Sequence, residues 1–141
     1  MDKKALAEKV VDTMYANDFF SQWLGIERIT IEAGHCVLRM KIRKDMLNGF
    51  AIVHGGITYS LADSALAFAS NSHGRKAVSV ETSISHTEQL HEGDIITATA
   101  EETKLSNKIG IYHITITNQK NEKVALFKGT VYRTSAEWFP A

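Results

Sequence analysis

One long apolar helix, set among strand-like segments, constrains the fold of this chain most strongly. From Ile57 to about Ser72 the apolar residues recur at helical spacing, and no Lys or Arg occurs between Asn48 and Ser72. The segments that follow alternate as strands do and are separated by turn-prone residues. The pattern predicts an α+β architecture in which an antiparallel sheet wraps around one long central helix.

The rest of the chain predicts two further helices and six strands. Helical spacing predicts a helix from Lys3 to Ala16, and Asp18 and Gly25 bound a shorter helix between them. Strand patterns form a hairpin from 26–32 and 38–42, and they continue at 76–87, 94–103, 109–118 and 124–134. Because the connections are short, we expect consecutive strands to be antiparallel neighbours.

Composition excludes several classes of function. The 141 residues suit one domain spanning 1–141, and 16 Lys and Arg balance 16 Asp and Glu, so no net charge draws the chain to nucleic acid or an acidic membrane. Zero net charge is compatible with self-association. The lone Cys36 cannot form an internal disulfide, and neither a signal-peptide pattern nor a membrane-spanning run is present. We expect a cytoplasmic protein.

Asp63 is the only acidic residue between Asn48 and Ser72. No residue three or four positions away from it on the helix is a cation, so the carboxylate must find its partners elsewhere. A short carboxylate is mildly unfavourable in mid-helix and costly to bury without hydrogen bonds. Asp63 is therefore a candidate active-site acid, and the alternative is a side chain that points to solvent.

The tripeptide His54-Gly55-Gly56 stands where the central helix begins. Glycine lets a ligand approach the backbone, and the first-turn N–H groups have no intrahelical acceptor while the helix dipole is positive there. The Gly55 amide is a candidate donor to the negative oxygen that forms when a carbonyl group is attacked. An ordinary turn is the alternative interpretation of the Gly-Gly pair.

Three motifs together, Leu47-Asn48-Gly49, His54-Gly55-Gly56 and Leu61-Ala62-Asp63, resemble those of the PaaI family of hotdog-fold thioesterases. Further matches are Gly93-Asp94 before a strand, Gly110-Ile111-Tyr112 in the next strand and the run from Ala125 to Gly129 in the last. The likeness covers most of the chain. It implies an α+β hotdog fold, an acyl-CoA thioester as substrate without a cofactor, active sites at the interface of paired subunits, and a homotetramer built as a dimer of dimers.

The resemblance also assigns roles to residues. It implies that the Gly55 amide donates a hydrogen bond to the thioester oxygen. Asn48 would support this oxyanion-binding end of the site, and His54 would shape the loop. Asp63 of the facing subunit would activate water as a general base or attack as a nucleophile, and Ser79 would help to position the water. An ordinary aspartate is ionised at neutral pH and a thiolate leaves readily, so one acid and one oxyanion donor are sufficient.

The segment from Ser85 to His91 departs from the family. Relatives often carry an aromatic residue followed by Arg-Pro there, whereas this chain has His86 and then Glu88-Gln89. In the family the coenzyme nucleotide lies across this turn and the following hairpin. Lys104 and Lys108 are therefore candidate phosphate partners, and the alternative is that they are solvated lysines on a turn.

Residues near the motifs have further expected roles. Gly56 adjoins the Gly55 donor and is a candidate substrate contact, and Tyr59 and Phe50 flank the site as candidate walls of the acyl pocket. The aromatic residues of the second helix are expected in the core or in a subunit contact: Phe19, Phe20 and Trp23. The histidines lack the spacing of a zinc site, so we expect no metal.

Two other functions are compatible with these residues. A hydratase or dehydratase of the same fold would use a histidine and an acid, but such enzymes have proline-rich loops between the two, and the segment from His54 to Asp63 has no proline. An acyl-CoA-binding sensor or structural subunit would keep the pocket without turnover. A sensor would tolerate Asp63→Asn, whereas an enzyme would lose turnover and keep binding.

Overall fold

The computed structural model describes all 141 residues and contains three α-helices and six strands. The helices are α1 (Lys3–Ala16), α2 (Phe19–Leu24) and α3 (Gly55–Asn71), and one 3-10 turn covers Lys44–Met46. The strands are β1 (Glu27–Glu32), β2 (His35–Lys41), β3 (Arg75–His86), β4 (Ile95–Leu105), β5 (Ile109–Thr117) and β6 (Lys123–Glu137). No helix is both long and apolar enough to cross a bilayer.

The two N-terminal helices begin and end where the sequence predicts. Asp18 caps α2, because its carboxylate accepts a hydrogen bond from the Ser21 amide at 2.9 Å. Gly25 ends the helix with a left-handed φ of 75°, which glycine adopts without strain. The central helix α3 begins two residues earlier than the apolar pattern suggests, because His54 provides its cap.

All six strands form one antiparallel sheet in the order β1-β2-β4-β5-β6-β3. The predicted β1–β2 hairpin is confirmed. The expectation that consecutive strands are neighbours is wrong for β3 and β4, since β3 pairs only with β6 at the sheet edge. The connection between them bonds instead to the loop before α3, where the Val53 amide donates to the carbonyl of the buried Leu90 at 2.8 Å.

The central helix α3 packs against strands β2 to β6, as the sequence predicts for a sheet wrapped around it. Its buried side chains include Leu61, Leu66 and Phe68 and join the strands in one hydrophobic core. Burial of each large apolar side chain contributes about 1.5–3 kcal/mol. Helix α3 lies very close to the sheet at Gly129 of β6, where an added β-carbon would lie 2.5 Å from Leu66 Cδ2. This packing fixes the position of α3 on the sheet.

Candidate active site

The N-terminus of α3 leaves one backbone donor free. His54 is the N-cap, and its Nδ1 accepts a hydrogen bond from the Gly56 amide at 3.1 Å. The Ile57 amide donates to the His54 carbonyl at 2.9 Å. The amide of Gly55 donates to no group of the chain. It is therefore available to a ligand at the positive end of the helix dipole.

The loop ahead of α3 is closed by Asn48. The side-chain oxygen of Asn48 accepts a hydrogen bond from the Phe50 backbone amide at 2.8 Å. The backbone amide of Asn48 donates to the Ile52 carbonyl, also at 2.8 Å. Ala51 adopts a left-handed φ of 60° within this turn. Asn48 thus holds the shape of the segment that delivers His54 to the helix, whereas the ring of Phe50 projects from the loop and is 86% exposed.

A polar cleft of about 700 Å³ opens on one side of Gly55. Its walls are Ile52, Val53, Gly55, Thr58 and the segment 86–91. An added β-carbon on Gly55 would lie 3.3 Å from Nε2 of His86, so the imidazole rests against the glycine. The hydroxyl of Thr58 is buried and has no hydrogen-bond partner in the protomer.

An apolar groove of about 410 Å³ lies on the other side of the helix N-terminus. Its apolar walls are Phe20, Trp23, Met46, Leu47 and Ile57, and Gly56 and Ser60 of α3 also line it. The rings of Phe20 and Trp23 stack with centroids 5.9 Å apart. Phe19, Phe20 and Trp23 do not lie in the core of the protomer, since they are 74%, 52% and 46% exposed. The other expected role, a subunit contact, stays a prediction.

Asp63 is half-buried and forms no hydrogen bond or ion pair within the protomer. Burial raises the pKa of its carboxyl group above the ordinary value, and the nearby carboxylate of Asp18 raises it further. Asp63 follows Gly55 by eight residues on α3, which is about 12 Å along the helix axis. The Gly55 amide and the Asp63 carboxylate of one protomer therefore cannot contact the same carbonyl group.

Ser79 and Tyr59 lie away from both openings. Ser79 is exposed on the edge strand β3, at a β-bulge where the pairing with β6 shifts register. Tyr59 packs its ring on Phe127, and its hydroxyl lies 2.6 Å from Thr82 Oγ1. Tyr59 lines neither the cleft nor the groove of its own protomer.

Lys104 is exposed near the end of β4 and Lys108 is exposed on the turn between β4 and β5, and neither forms a salt bridge. This turn lies at the end of the sheet where β3 begins at Arg75, whereas His86 and Gly55 lie at the other end. Through β5 and β6, Lys104 is level with Glu81 of β3, five residues or about 17 Å along the strand from His86, and Lys108 is level with Ala77, nine residues or about 30 Å away. Three strand spacings, about 14 Å in all, also separate β4 from β3. Within one protomer the lysines are thus remote from Gly55. No group of three or more potential metal ligands occurs.

The segment that carries this site matches a known family. A model of the thioesterase superfamily matches residues 50–125, more than half of the chain, including Gly55 and Asp63. The chain belongs to the thioesterase superfamily. Within it, the acyl-coenzyme A thioesterase PaaI of Escherichia coli K12 is 41% identical over 120 residues, which cover 85% of this chain and 86% of that protein.

Solved structures confirm the PaaI resemblance and the hotdog fold. The structure of the E. coli PaaI protein superposes with a TM-score of 0.94 at 37% identity and covers 96% of this chain and 99% of that one. A mutant structure of PaaI from Thermus thermophilus gives a TM-score of 0.80 at 35% identity, covering 83% of this chain and all of that one. This thioesterase-superfamily chain therefore shares its topology with both.

Three features of the site are not predictable from the sequence. His86 was visible only as a departure from the family pattern, and nothing indicated that its ring approaches Gly55, 31 residues earlier. The groove walled by Phe20 and Trp23 was unforeseen because an apolar pattern does not distinguish a core face from an exposed one. The unpartnered hydroxyl of Thr58 had no sequence signal, since a single threonine in a helix does not reveal whether its hydroxyl finds a partner.

Proposed function

We propose that this chain hydrolyses acyl-coenzyme A thioesters to a free acid and coenzyme A. The observation that carries the proposal is the free Gly55 amide at the start of α3, combined with the unpaired carboxylate of Asp63 on the same helix. The name of the E. coli relative, acyl-coenzyme A thioesterase, supports the same substrate class. The raised pKa of Asp63 also makes its carboxylate a stronger base than an ordinary aspartate.

The reaction requires one base and one oxyanion donor. The carboxylate of Asp63 takes a proton from water while the water oxygen attacks the thioester carbon. The carbonyl oxygen becomes negative and accepts the Gly55 N–H, which is already oriented by the helix. The C–S bond then breaks and coenzyme A leaves as a thiolate. Direct attack by Asp63 on the thioester carbon would instead break the C–S bond, expel the coenzyme A thiolate and form an anhydride that water hydrolyses, with the same donor at the oxygen.

The separation of Gly55 from Asp63 supports a site shared by two subunits, because one helix cannot bring both groups to one carbonyl. The edge strand β3 has one unpaired side and exposes Val78 and Val80 by 56% and 61%. Pairing of two such edges, antiparallel about a twofold axis, covers these side chains. We propose this dimer as the catalytic unit and a dimer of dimers as the assembly. A strict monomer by light scattering would refute the shared site.

The two openings beside Gly55 give the substrate a direction. The apolar groove suits the acyl group, either aromatic, aryl-acetyl or medium-chain, and the polar cleft suits the amide-rich arm of coenzyme A. Antiparallel pairing of two β3 strands brings the Arg75 end of one subunit beside the His86 end of the other. Lys104 and Lys108 of the facing subunit would then be near the coenzyme phosphates, although they are remote within one protomer.

We also place this enzyme in the cytoplasm. Its only cysteine, Cys36, is buried, and burial raises the pKa of the thiol to about 12. The thiol therefore stays protonated and unreactive, and the fold contains no disulfide that would require an oxidising compartment. Fractionation of cells that express the chain, followed by immunoblotting, checks this location.

The first experiment measures thiol release from a panel of acyl-CoA thioesters by wild type and Asp63→Asn. We expect release by wild type and a fall of at least about a hundredfold in the variant, the scale of a lost general base. Asp12→Asn is the matched control, because Asp12 is an exposed carboxylate paired with Arg28 on the surface. If neither wild type nor Asp63→Asn releases thiol while both bind acyl-CoA, the protein is a sensor.

A second experiment tests the oxyanion donor. Gly55→Pro removes the N–H at the first helical position, where proline is well tolerated. His54 already has φ −67° and ψ 131°, the extended conformation that precedes proline. We expect kcat to fall roughly 10²–10³-fold. Gly55→Ala is the comparison, since it keeps the N–H but adds the same β-carbon against His86 as proline does. The additional loss in Gly55→Pro therefore measures the amide, and equal losses in both variants would argue against it.

A third experiment tests whether subunits share each site. We expect the Gly55→Pro and Asp63→Asn proteins to be inactive on their own. In a mixed dimer, one site receives both defects and the other site receives an intact Gly55 and an intact Asp63. After unfolding and refolding an equal mixture, we expect about a quarter of wild-type activity. Sites contained within single protomers would show no recovery.

A further inference from the structure

We propose that His86 is a second hydrogen-bond donor to the thioester carbonyl oxygen, beside the Gly55 amide. This inference rests on the proposed thioesterase function and adds a side chain to its oxyanion site. His86 ends strand β3, and its Nε2 and Cε1 lie 3.3 and 3.5 Å from where a β-carbon of residue 55 would stand. The absence of a side chain at Gly55 is what lets the imidazole approach the helix N-terminus.

The imidazole of His86 is free to bind a ligand. It is exposed in the cleft that also contains Gly55, and neither ring nitrogen forms a hydrogen bond or an ion pair within the chain. Its neighbours along the segment are engaged differently: Thr87 donates its hydroxyl to the Lys123 carbonyl, and the His91 amide donates to Asp94 at 2.8 Å. Among the side chains of this segment, His86 is the one set against Gly55.

A neutral imidazole carries one N–H, and the nitrogen nearest Gly55 is Nε2. In the proposed site, Nε2–H donates to the carbonyl oxygen as the tetrahedral state forms, and the proton stays on the nitrogen throughout. The Gly55 amide and the His86 side chain come from different elements and meet at the same oxygen. Two donors from a helix start and a neighbouring strand form a complete oxyanion site.

Kinetics of two variants test the donor. His86→Phe keeps a planar ring of similar size and removes the N–H, whereas His86→Gln keeps an N–H donor on a flexible side chain. We expect kcat with the preferred acyl-CoA to fall at least about tenfold in His86→Phe, with KM changed less than about threefold, and to recover in part in His86→Gln. His113→Phe, an exposed histidine on β5, is the matched control and should leave kcat unchanged. Wild-type kcat in His86→Phe would overturn the proposal.

A vibrational measurement separates donation from a structural effect. In the Asp63→Asn background the acyl-CoA remains intact, so the carbonyl stretch of the bound thioester can be recorded by isotope-edited infrared spectroscopy. We expect the added His86→Phe change to raise this frequency, because a lost hydrogen bond strengthens the C=O bond. An unchanged frequency would overturn the role of His86. If wild type releases no thiol but the frequency still responds, hydrolysis is refuted and the donor stands.

Discussion

Ser21 Oγ lies 2.8 Å from Ser64 Oγ, and this buried hydrogen bond joins α2 to α3 at the residue that follows Asp63. The same Ser21 hydroxyl donates to the Asp18 carboxylate at 2.6 Å. The short helix α2 is thereby fixed so that the charge of Asp18 lies near Asp63 and raises its pKa. The helix that walls the apolar groove thus also adjusts the proposed catalytic base.

Removal of the Asp18 charge should shift the pH profile of the enzyme. Asp18→Asn keeps a side chain suited to cap α2 but eliminates the carboxylate that raises the pKa of Asp63. Because the base must be ionised to act, the acidic limb of kcat/KM should move to lower pH. Steady-state rates across the acidic range check this, with Asp12→Asn as the control. A limb that stays in place or moves upward would contradict the prediction.

The unpaired carboxylate of Asp63 should reduce stability at neutral pH. Its pKa is raised in the folded state above the ordinary value of 3.8, so the folded protein binds the proton more tightly than the unfolded chain. The free energy of unfolding therefore declines as pH rises from that value through the raised one. We expect Asp63→Asn to have a higher midpoint of urea unfolding than wild type at pH 7.

The difference in unfolding midpoint between Asp63→Asn and wild type should itself depend on pH. Below the ordinary pKa, Asp63 is protonated in both folded and unfolded states, and its penalty vanishes. The gain in the unfolding midpoint of Asp63→Asn should therefore shrink as the solution is acidified. A gain in the midpoint that is as large in acidic solution, below the ordinary pKa of aspartate, as at pH 7 would show that the carboxylate charge is not its cause.

The buried hydroxyl of Thr58 should destabilise the free enzyme. It has no hydrogen-bond partner, and leaving a buried polar group unpaired costs about 1–3 kcal/mol. Thr58→Val removes the hydroxyl and keeps the branched shape, so we expect the melting temperature to rise by roughly 2–5 °C without ligand. Ser64→Ala is the comparison, since the Ser64 hydroxyl is bonded to Ser21 and its loss should lower the melting temperature.

Trp23 should select among acyl groups. Its ring walls the apolar groove and stacks on Phe20, so Trp23→Ala removes an aromatic contact with an apolar acyl chain. We expect kcat/KM to fall about tenfold for aryl and medium-chain acyl-CoA and to change little for acetyl-CoA. Phe19→Ala is the control, because Phe19 is an exposed aromatic residue of the same helix that does not line the groove. Uniform losses across all substrates would contradict a role in selection.

A charge on the edge strand should separate the subunits. Lysine on an exposed edge opposes strand pairing, so Val80→Lys should shift the protein toward monomer and reduce thiol release in parallel. Val80→Thr keeps the branched shape without a charge and should remain associated. Light scattering and activity measured at one protein concentration check both variants. A fully active monomer would refute the shared site.

The sequence predicts local structure well where residues signal it directly. The helix from Lys3 to Ala16 has the predicted bounds, and Asp18 and Gly25 mark α2 through their capping chemistry. Strand pairing was not predictable in the same way, because alternation reports which face is buried but not which strand lies alongside. The separation of β3 from β4 therefore emerged only from the structure.

In the candidate site, too, local features are predictable from the sequence and contacts between distant segments are not. The positions of Gly55 at the helix start and Asp63 on the helix follow from periodicity and capping, but the hydrogen bond from the Gly56 amide to the His54 side chain has no signal in the sequence. The approach of His86 to Gly55 depends on the β3–β6 pairing and on the placement of α3. Such contacts between distant segments arise from tertiary packing, which no local pattern encodes.

A single rigid helix, α3, carries Gly55 at its start and Asp63 two turns later. In a shared site, each α3 contributes its amide to one active site and its carboxylate to the other. An axial shift of α3 that brings the amide closer to one substrate must move the carboxylate relative to the other substrate. In the proposed dimer the two sites are therefore mechanically coupled, and we expect substrate binding at one site to change the catalytic rate at the other.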